Sequence, residues 1–141
     1  MTRGRLLCGE VTVQVNAPMT EMSACHCELC TRWSGAVHMA IDLETKDVTF
    51  EGPIKTHRSS RLATRAWCDT CGSALYLQDA VDTERIEVFP GLFDNAGGAK
   101  LVRVVYADCH PDGFSLAGDI SRVSKKEYEA AYPHLSEGTN E

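Results

Sequence analysis

The sequence predicts an all-β sandwich or barrel-like sheet with one helix near its C-terminus. Short runs of β-branched and apolar residues recur along the chain, and turn-forming residues punctuate them. One persuasive helix signature stands near the end of the chain. Many short strands with such spacing read as packed sheets rather than as alternating strand and helix.

The first strand runs from Val11 to Val15, where apolar and polar residues alternate as they do in a half-buried strand. Further strands are expected at Ala36–Asp42, Val48–Glu51, Arg61–Trp67, Ala74–Leu77, Arg85–Phe89 and Leu101–Ala107. Gly52-Pro53, Asn95-Ala-Gly-Gly98 and Pro111-Asp-Gly113 mark turns between them. Ser124, followed three residues later by Glu127, reads as a capping box that opens a helix, and Pro133 helps to stop it. Residues 136–141 are polar and are expected to form a flexible tail. No repeat, linker or low-complexity tract divides the chain, so residues 1–135 are expected to form one β domain.

With 141 residues the chain can bury roughly two-thirds of its unfolded surface. The net charge of −6 argues against nucleic acid as a partner, because phosphate binding needs a basic footprint. Basic residues do gather locally, at Arg58, Arg61 and Arg65. The N-terminal residues have no long apolar stretch and are not a secretory signal. No apolar run approaches the roughly 20 residues that span a bilayer. The expected setting is therefore cytoplasmic, with no membrane partner. Seven cysteines there read as metal ligands more naturally than as disulfides.

Two thiol clusters carry the chemistry. Cys25, Cys27 and Cys30 fall within six residues, in the pattern C-H-C-x-x-C. The Cys27-x-x-Cys30 spacing is that of a zinc knuckle, and Cys25 can join it because residues i and i+2 of an extended segment face the same way. Three ligands leave a tetrahedral position open. His26 then points elsewhere and suits packing or support of a ligand. The second cluster is Cys68-Asp-Thr-Cys71-Gly72, with Cys8-Gly9 as the obvious third donor. Its fourth ligand is not evident: Cys109, His110, water or nothing fits the spacing.

The remaining candidates are weaker. Cys109-His110 is either a reactive thiol beside a base or a small buried hydrophobe. His38, His57 and His134 have no partner at ligand spacing. Trp33 and Trp67 flank the clusters as core aromatics or as walls of a pocket. A zinc held by three thiolates carries a net charge of about −1. Arg32 can offset that charge, hold a substrate carboxylate, or stand solvated at the surface.

Three ordered motifs carry a resemblance: Cys25-His-Cys-Glu-Leu-Cys-Thr-Arg-Trp-Ser-Gly35, Arg65-Ala-Trp-Cys-Asp-Thr-Cys-Gly-Ser73 and Gly91-Leu-Phe-Asp94. Together they resemble the glutathione-dependent formaldehyde-activating enzyme family, which includes the centromere protein V group. The resemblance runs from Cys8 to about Phe114. It implies a compact zinc-containing fold of packed antiparallel sheets. It also implies a catalytic zinc on Cys25, Cys27 and Cys30, and a structural zinc on Cys68, Cys71 and an N-terminal Cys-x-Cys pair. Here that pair reads Leu6-Leu7-Cys8, so one expected ligand is leucine. One or two zinc ions per chain follow. A late family tryptophan is replaced by Phe114.

The function this implies is a zinc-dependent carbon–sulfur lyase of the S-(hydroxymethyl)glutathione synthase type. It joins a small thiol, glutathione by resemblance, to formaldehyde or another small electrophile. Arg32 and Trp33 are the candidate contacts to the thiol substrate, and the basic residues from Arg58 to Arg65 can receive its carboxylates. A free thiol with a pKa near 8.5 is only a few per cent thiolate at pH 7, so full deprotonation is worth about thirtyfold, roughly 2 kcal/mol. Orientation must contribute more. Two rival readings are a zinc-stabilised binding module without catalysis, and a methionine-sulfoxide-reductase-like enzyme with Cys109 as nucleophile.

Overall fold

The structure is a computed structural model that describes residues 1–136. From residue 137 on, the tail expected over 136–141 lies outside the described residues. Two sheets form. The smaller has the order β1-β2-β5 and is antiparallel, from β1 (Thr2–Arg5), β2 (Thr12–Val15) and β5 (Val48–Glu51). The larger uses β3 (Glu21–Cys25), β4 (His38–Glu44), β6 (Ile54–Arg58), β7 (Ala63–Cys68), β8 (Ala74–Asp79), β9 (Arg85–Val88), β10 (Lys100–Val105) and β11 (Ser121–Val123). Its order is β11-β10-β3-β4-β9-β8-β7-β6.

Between the sheets lies the core. Val13 and Val15 of the small sheet alternate with outward Thr12 and half-buried Gln14, as the sequence pattern requires. They meet Ile41, Leu43, Ala66, Leu75, Ile86 and Val88 of the large sheet. Fully burying each valine, leucine or isoleucine contributes about 1.5–3 kcal/mol. Among the described residues no helix is long and apolar enough to cross a membrane.

The expectation of purely antiparallel sheets is corrected at one end. β10 runs parallel to both β3 and β11. The long connection from β3 to β10 returns the chain in the same direction, and such a crossover is what parallel pairing needs. This arrangement sets the ends of β3 and β10 side by side, with Cys25 opposite Val105. The first thiol cluster thereby starts at the end of an interior strand, β3, rather than in a detached loop.

Four strands escaped the sequence reading: β1, β3, β6 and β11. The helix near the C-terminus, α2 (Lys125–Ala131), forms as expected. Ser124 Oγ accepts from the Glu127 N–H, and Glu127 Oε1 accepts from the Ser124 N–H, each at 3.1 Å. The Lys125 N–H adds a bond to Asp108 Oδ1 at 2.9 Å, which docks the helix on the turn after β10. Ser124→Ala should therefore lower stability by about 1 kcal/mol, read as a lowered Tm.

Candidate functional site

Cys25 ends β3, Cys27 caps the next helix, and Cys30 is buried one turn inside it. That helix, α1 (Glu28–Ser34), was read from sequence only as a tight turn. It opens with Cys27 Sγ accepting the Cys30 N–H at 3.4 Å, and it closes on Gly35. Gly35 has φ of +89° and donates its N–H to the Thr31 carbonyl, an αL cap that suits glycine. The helix brings Cys30 back over Cys27. The three sulfurs lie within 4.8 Å of one another.

Three donors aim at this sulfur cluster. The Cys27 N–H points to Cys25 Sγ at 3.4 Å, the Cys30 N–H to Cys27 Sγ, and Arg65 Nη2 to Cys30 Sγ at 3.7 Å. A thiol set addressed by amides and a guanidinium is built for negative charge. Hydrogen bonds from the Cys25 and Cys30 thiols hold Cys27 as thiolate, with its pKa lowered to about 2. Cys25, bonded to that thiolate, is pushed far above the ordinary thiol range. Three sulfurs sharing so little space hold one negative charge easily and three only with a cation among them. The donor set, its close spacing and its hydrogen bonds fit a zinc ion.

Arg65 is the residue whose role the sequence reading missed. Only 3% of its surface is exposed. Its Nε donates to Ser59 Oγ at 3.1 Å, its guanidinium lies 5.8 Å from the Trp33 ring, and Nη1 is buried without a hydrogen-bond partner among the described residues. Arg58 and Arg61, grouped with it as carboxylate receivers, turn instead to backbone. Arg58 donates to the Ser60 and Arg61 carbonyls, and Arg61 donates to the His134 carbonyl. The signal available in sequence was alternation: Arg65 lies on the face of β7 that carries Ala63 inward.

The cluster faces a cavity of about 600 Å³. Cys25 and Cys27 line it, with Arg65 in its wall, Arg32 and Lys125 as further cations, and Glu87 and Glu129 as acids. This volume lies in the ordinary range for a small-molecule site. Tyr106 OH donates to Glu129 Oε2 at 3.1 Å and so ties α2 to the end of β10. Arg32 is exposed and lies 3.9 Å from Glu28. Trp33 is half-buried and packs on Trp67 with ring centres 5.6 Å apart.

The histidines divide by burial. His26 is buried between the rings of His110 and Phe114, outside the sulfur cluster. Burial and the neighbouring His110 lower its pKa and keep it neutral. His38 is buried with Nε2 at 3.1 Å from Glu87 Oε1. His57 is exposed on β6, and His134 lines the cavity. Cys109 also lines this cavity rather than completing the second cluster. Burial and Asp108 raise its pKa, so it is a poor nucleophile at neutral pH.

The second cluster brings Cys8, Cys68 and Cys71 within 4.8 Å of one another. Cys8 Sγ and Cys68 Sγ are 3.7 Å apart, close to the roughly 3.8 Å edge of a tetrahedral zinc–thiolate site with bonds of about 2.3 Å. Leu6 and Cys68 are buried in the same core cluster.

Known proteins match these features at several levels. The sequence pattern of a family described as glutathione-dependent formaldehyde-activating enzyme matches residues 1–108. A Schizosaccharomyces pombe protein described as an uncharacterized lyase is 26% identical over 125 residues, covering 88% of this chain and 91% of its own. A crystal structure of a Rhodobacter sphaeroides protein shares the fold with a TM-score of 0.55 and 22% identity, over 65% of this chain and 87% of that one.

Proposed function

Because the chain belongs to the glutathione-dependent formaldehyde-activating enzyme family, we propose that it is a zinc-dependent carbon–sulfur lyase. It acts on a small carboxylate-bearing thiol, with glutathione the first candidate, and on formaldehyde or a similar small electrophile. The observation that carries the reading is the sulfur cluster itself. Its three thiols have no fourth protein donor among the described residues, and two of them, Cys25 and Cys27, stand in the wall of a cavity large enough for a tripeptide.

Zinc held there supplies Lewis acidity that lowers the pKa of a thiol reaching its remaining position. The residues of the chain do the rest. Cys25, Cys27 and Cys30 hold the metal, and Arg65 balances the charge of three thiolates on a divalent ion. Lys125 and Arg32 offer cations to the substrate's carboxylates, and Glu87 and Glu129 offer acids to its amine. In the forward direction a carbon–sulfur bond forms as the carbonyl π bond breaks, and the thiol proton ends on the carbonyl oxygen. Glu129, held by Tyr106, is a carboxylate in that wall able to pass the proton. Holding both partners in one cavity supplies the orientation that sulfur activation alone does not.

A binding module would suit a closed four-ligand metal with no cavity beside it. A sulfoxide reductase would need an activated free cysteine, and the raised pKa of Cys109 speaks against one. The test is turnover of glutathione and formaldehyde above the spontaneous rate, before and after metal removal. Saturable turnover that disappears with zinc and returns on its readdition is expected. A rate equal to the spontaneous one in zinc-loaded protein would sink the enzymatic reading.

A further inference from the structure

The second thiol cluster is made of two glycine-ended turns of different length, five residues from Cys68 to Gly72 and four from Leu6 to Gly9. In the later turn, the Gly72 N–H donates to the Cys68 carbonyl at 2.9 Å, and Gly72 has φ of +79°. In the earlier one, the Gly9 N–H donates to the Leu6 carbonyl at 3.1 Å, and Gly9 has φ of +76°. Nothing crowds a Cβ at either glycine, so the backbone conformation, not space, calls for glycine at both. Each glycine follows an outer cysteine, Cys71 or Cys8. Each turn opens on a residue buried in the core, Cys68 in one and Leu6 in the other. Leu6, two residues before Cys8, is buried in the same core cluster as Cys68 and offers no donor atom.

The remaining three sulfurs are arranged as ligands. The Glu10 N–H points to Cys8 Sγ at 3.4 Å, and the Ser73 hydroxyl lies 3.2 Å from Cys71 Sγ. The turns are pinned together by Thr70 Oγ1 donating to Glu10 Oε2 at 2.5 Å, which occupies the nearby carboxylate. Among the described residues no histidine or carboxylate joins the three sulfurs. A structural zinc is closed by four protein ligands, whereas the described residues gather three here. Cys8 is exposed, so the cluster is open to solvent on one side.

We propose that Cys8, Cys68 and Cys71 form an open metal site that takes a thiophilic divalent ion such as zinc on three thiolates and exchanges it readily. The fourth position falls to a small ligand from solvent. The fold does not depend on this ion as a staple, because Leu6 and Cys68 already pack into the core between the sheets. The site thus loads and unloads without unfolding the chain. This inference concerns a different cluster from the one proposed to be catalytic and does not rest on that proposal.

The test is the kinetics of zinc release from zinc-saturated protein to a chromogenic chelator, with circular dichroism to confirm folding. The unaltered protein should show a fast release component that Cys8→Ser removes, leaving the secondary structure unchanged. Leu6→Cys should retain that component's zinc and slow its release by about tenfold or more, since even partners outside the ligand shell change metal affinity by about 10–100-fold. Any zinc that remains after Cys8→Ser belongs to the other cluster, so failure of the catalytic proposal is read separately. A zinc content and release profile unchanged by Cys8→Ser overturns the proposal. So does a Cys8-dependent zinc that leaves as slowly from the unaltered protein as from Leu6→Cys, or a chain that unfolds when that zinc departs. Should Leu6→Cys fail to fold, the Cys8→Ser comparison alone still decides.

Discussion

Cys27→Ser should empty the proposed catalytic site of zinc while leaving the helix that carries it in place. Cys27 has two jobs. Its sulfur is one of three clustered donors, and it caps α1 by accepting the Cys30 N–H. Serine is among the best N-cap residues, so the second job survives the substitution. The first does not, because a neutral hydroxyl is a poor replacement for a thiolate ligand. Loss of partners outside the ligand shell already costs about 10–100-fold in metal affinity. Loss of a ligand should reach at least the upper end, about 3 kcal/mol. Metal analysis and thiol-dependent turnover should fall together, with Tm of the metal-free protein nearly unchanged. Retained zinc and turnover would mean that the metal is held elsewhere. The same chemistry gives a pH dependence. In the metal-free protein Cys25 keeps its proton at neutral pH, since its pKa is raised by its bond to Cys27. Loading zinc must expel that proton, so affinity should rise with pH and weaken as pH falls.

The parts of the fold legible in sequence are those where burial alternates. Val13 and Val15, Leu75 and Leu77, Ile86 and Val88 each face the core at every second position, and each lies in an expected strand. The strands that escaped are held differently. β1, β6 and β11 are sheet edges, and their sequences, Thr-Arg-Gly-Arg, Ile-Lys-Thr-His-Arg and Ser-Arg-Val, bury little. Backbone pairing defines them, and a hydrophobic pattern does not reveal that. Gly4 in β1 shows the constraint from the other side. A Cβ there would lie 2.5 Å from the Leu92 carbonyl oxygen, a contact made by residues far apart in sequence.

The thiol clusters were legible because ligand spacing is local. C-x-x-C brings two sulfurs together whatever the rest of the chain does, and the structure gathers both expected trios. What surrounds the first trio was not legible in that way. The cavity is walled by the end of β3, by α1, by the β6–β7 loop and by α2, which only the tertiary fold brings together. Arg65 is the clearest case. Beside Arg58 and Arg61 it looked like one member of a surface patch, yet β7 turns it inward to Cys30 while its neighbours bond loop carbonyls.

Arg65→Met should weaken zinc binding far more than it weakens the fold. A divalent ion on three thiolates carries a net charge of about −1, and Arg65 is the buried cation that touches the cluster, through Cys30 Sγ at 3.7 Å. A hydrogen bond to a charged group contributes about 1.5–3 kcal/mol, which corresponds to about 10–150-fold in metal affinity. The metal-free protein should respond differently. With fewer thiolates present, Arg65 is a buried charge with one nitrogen lacking a partner among the described residues, and methionine of similar length fills the space beside Trp33 without that cost. Tm of the metal-free protein should therefore hold or rise, while zinc affinity and turnover fall. A purely structural arginine would show the reverse, a lowered Tm with affinity intact. Arg65→Lys should restore little. Lysine keeps the charge but lacks the planar fork that reaches Ser59 and Cys30 at once while lying over the Trp33 ring.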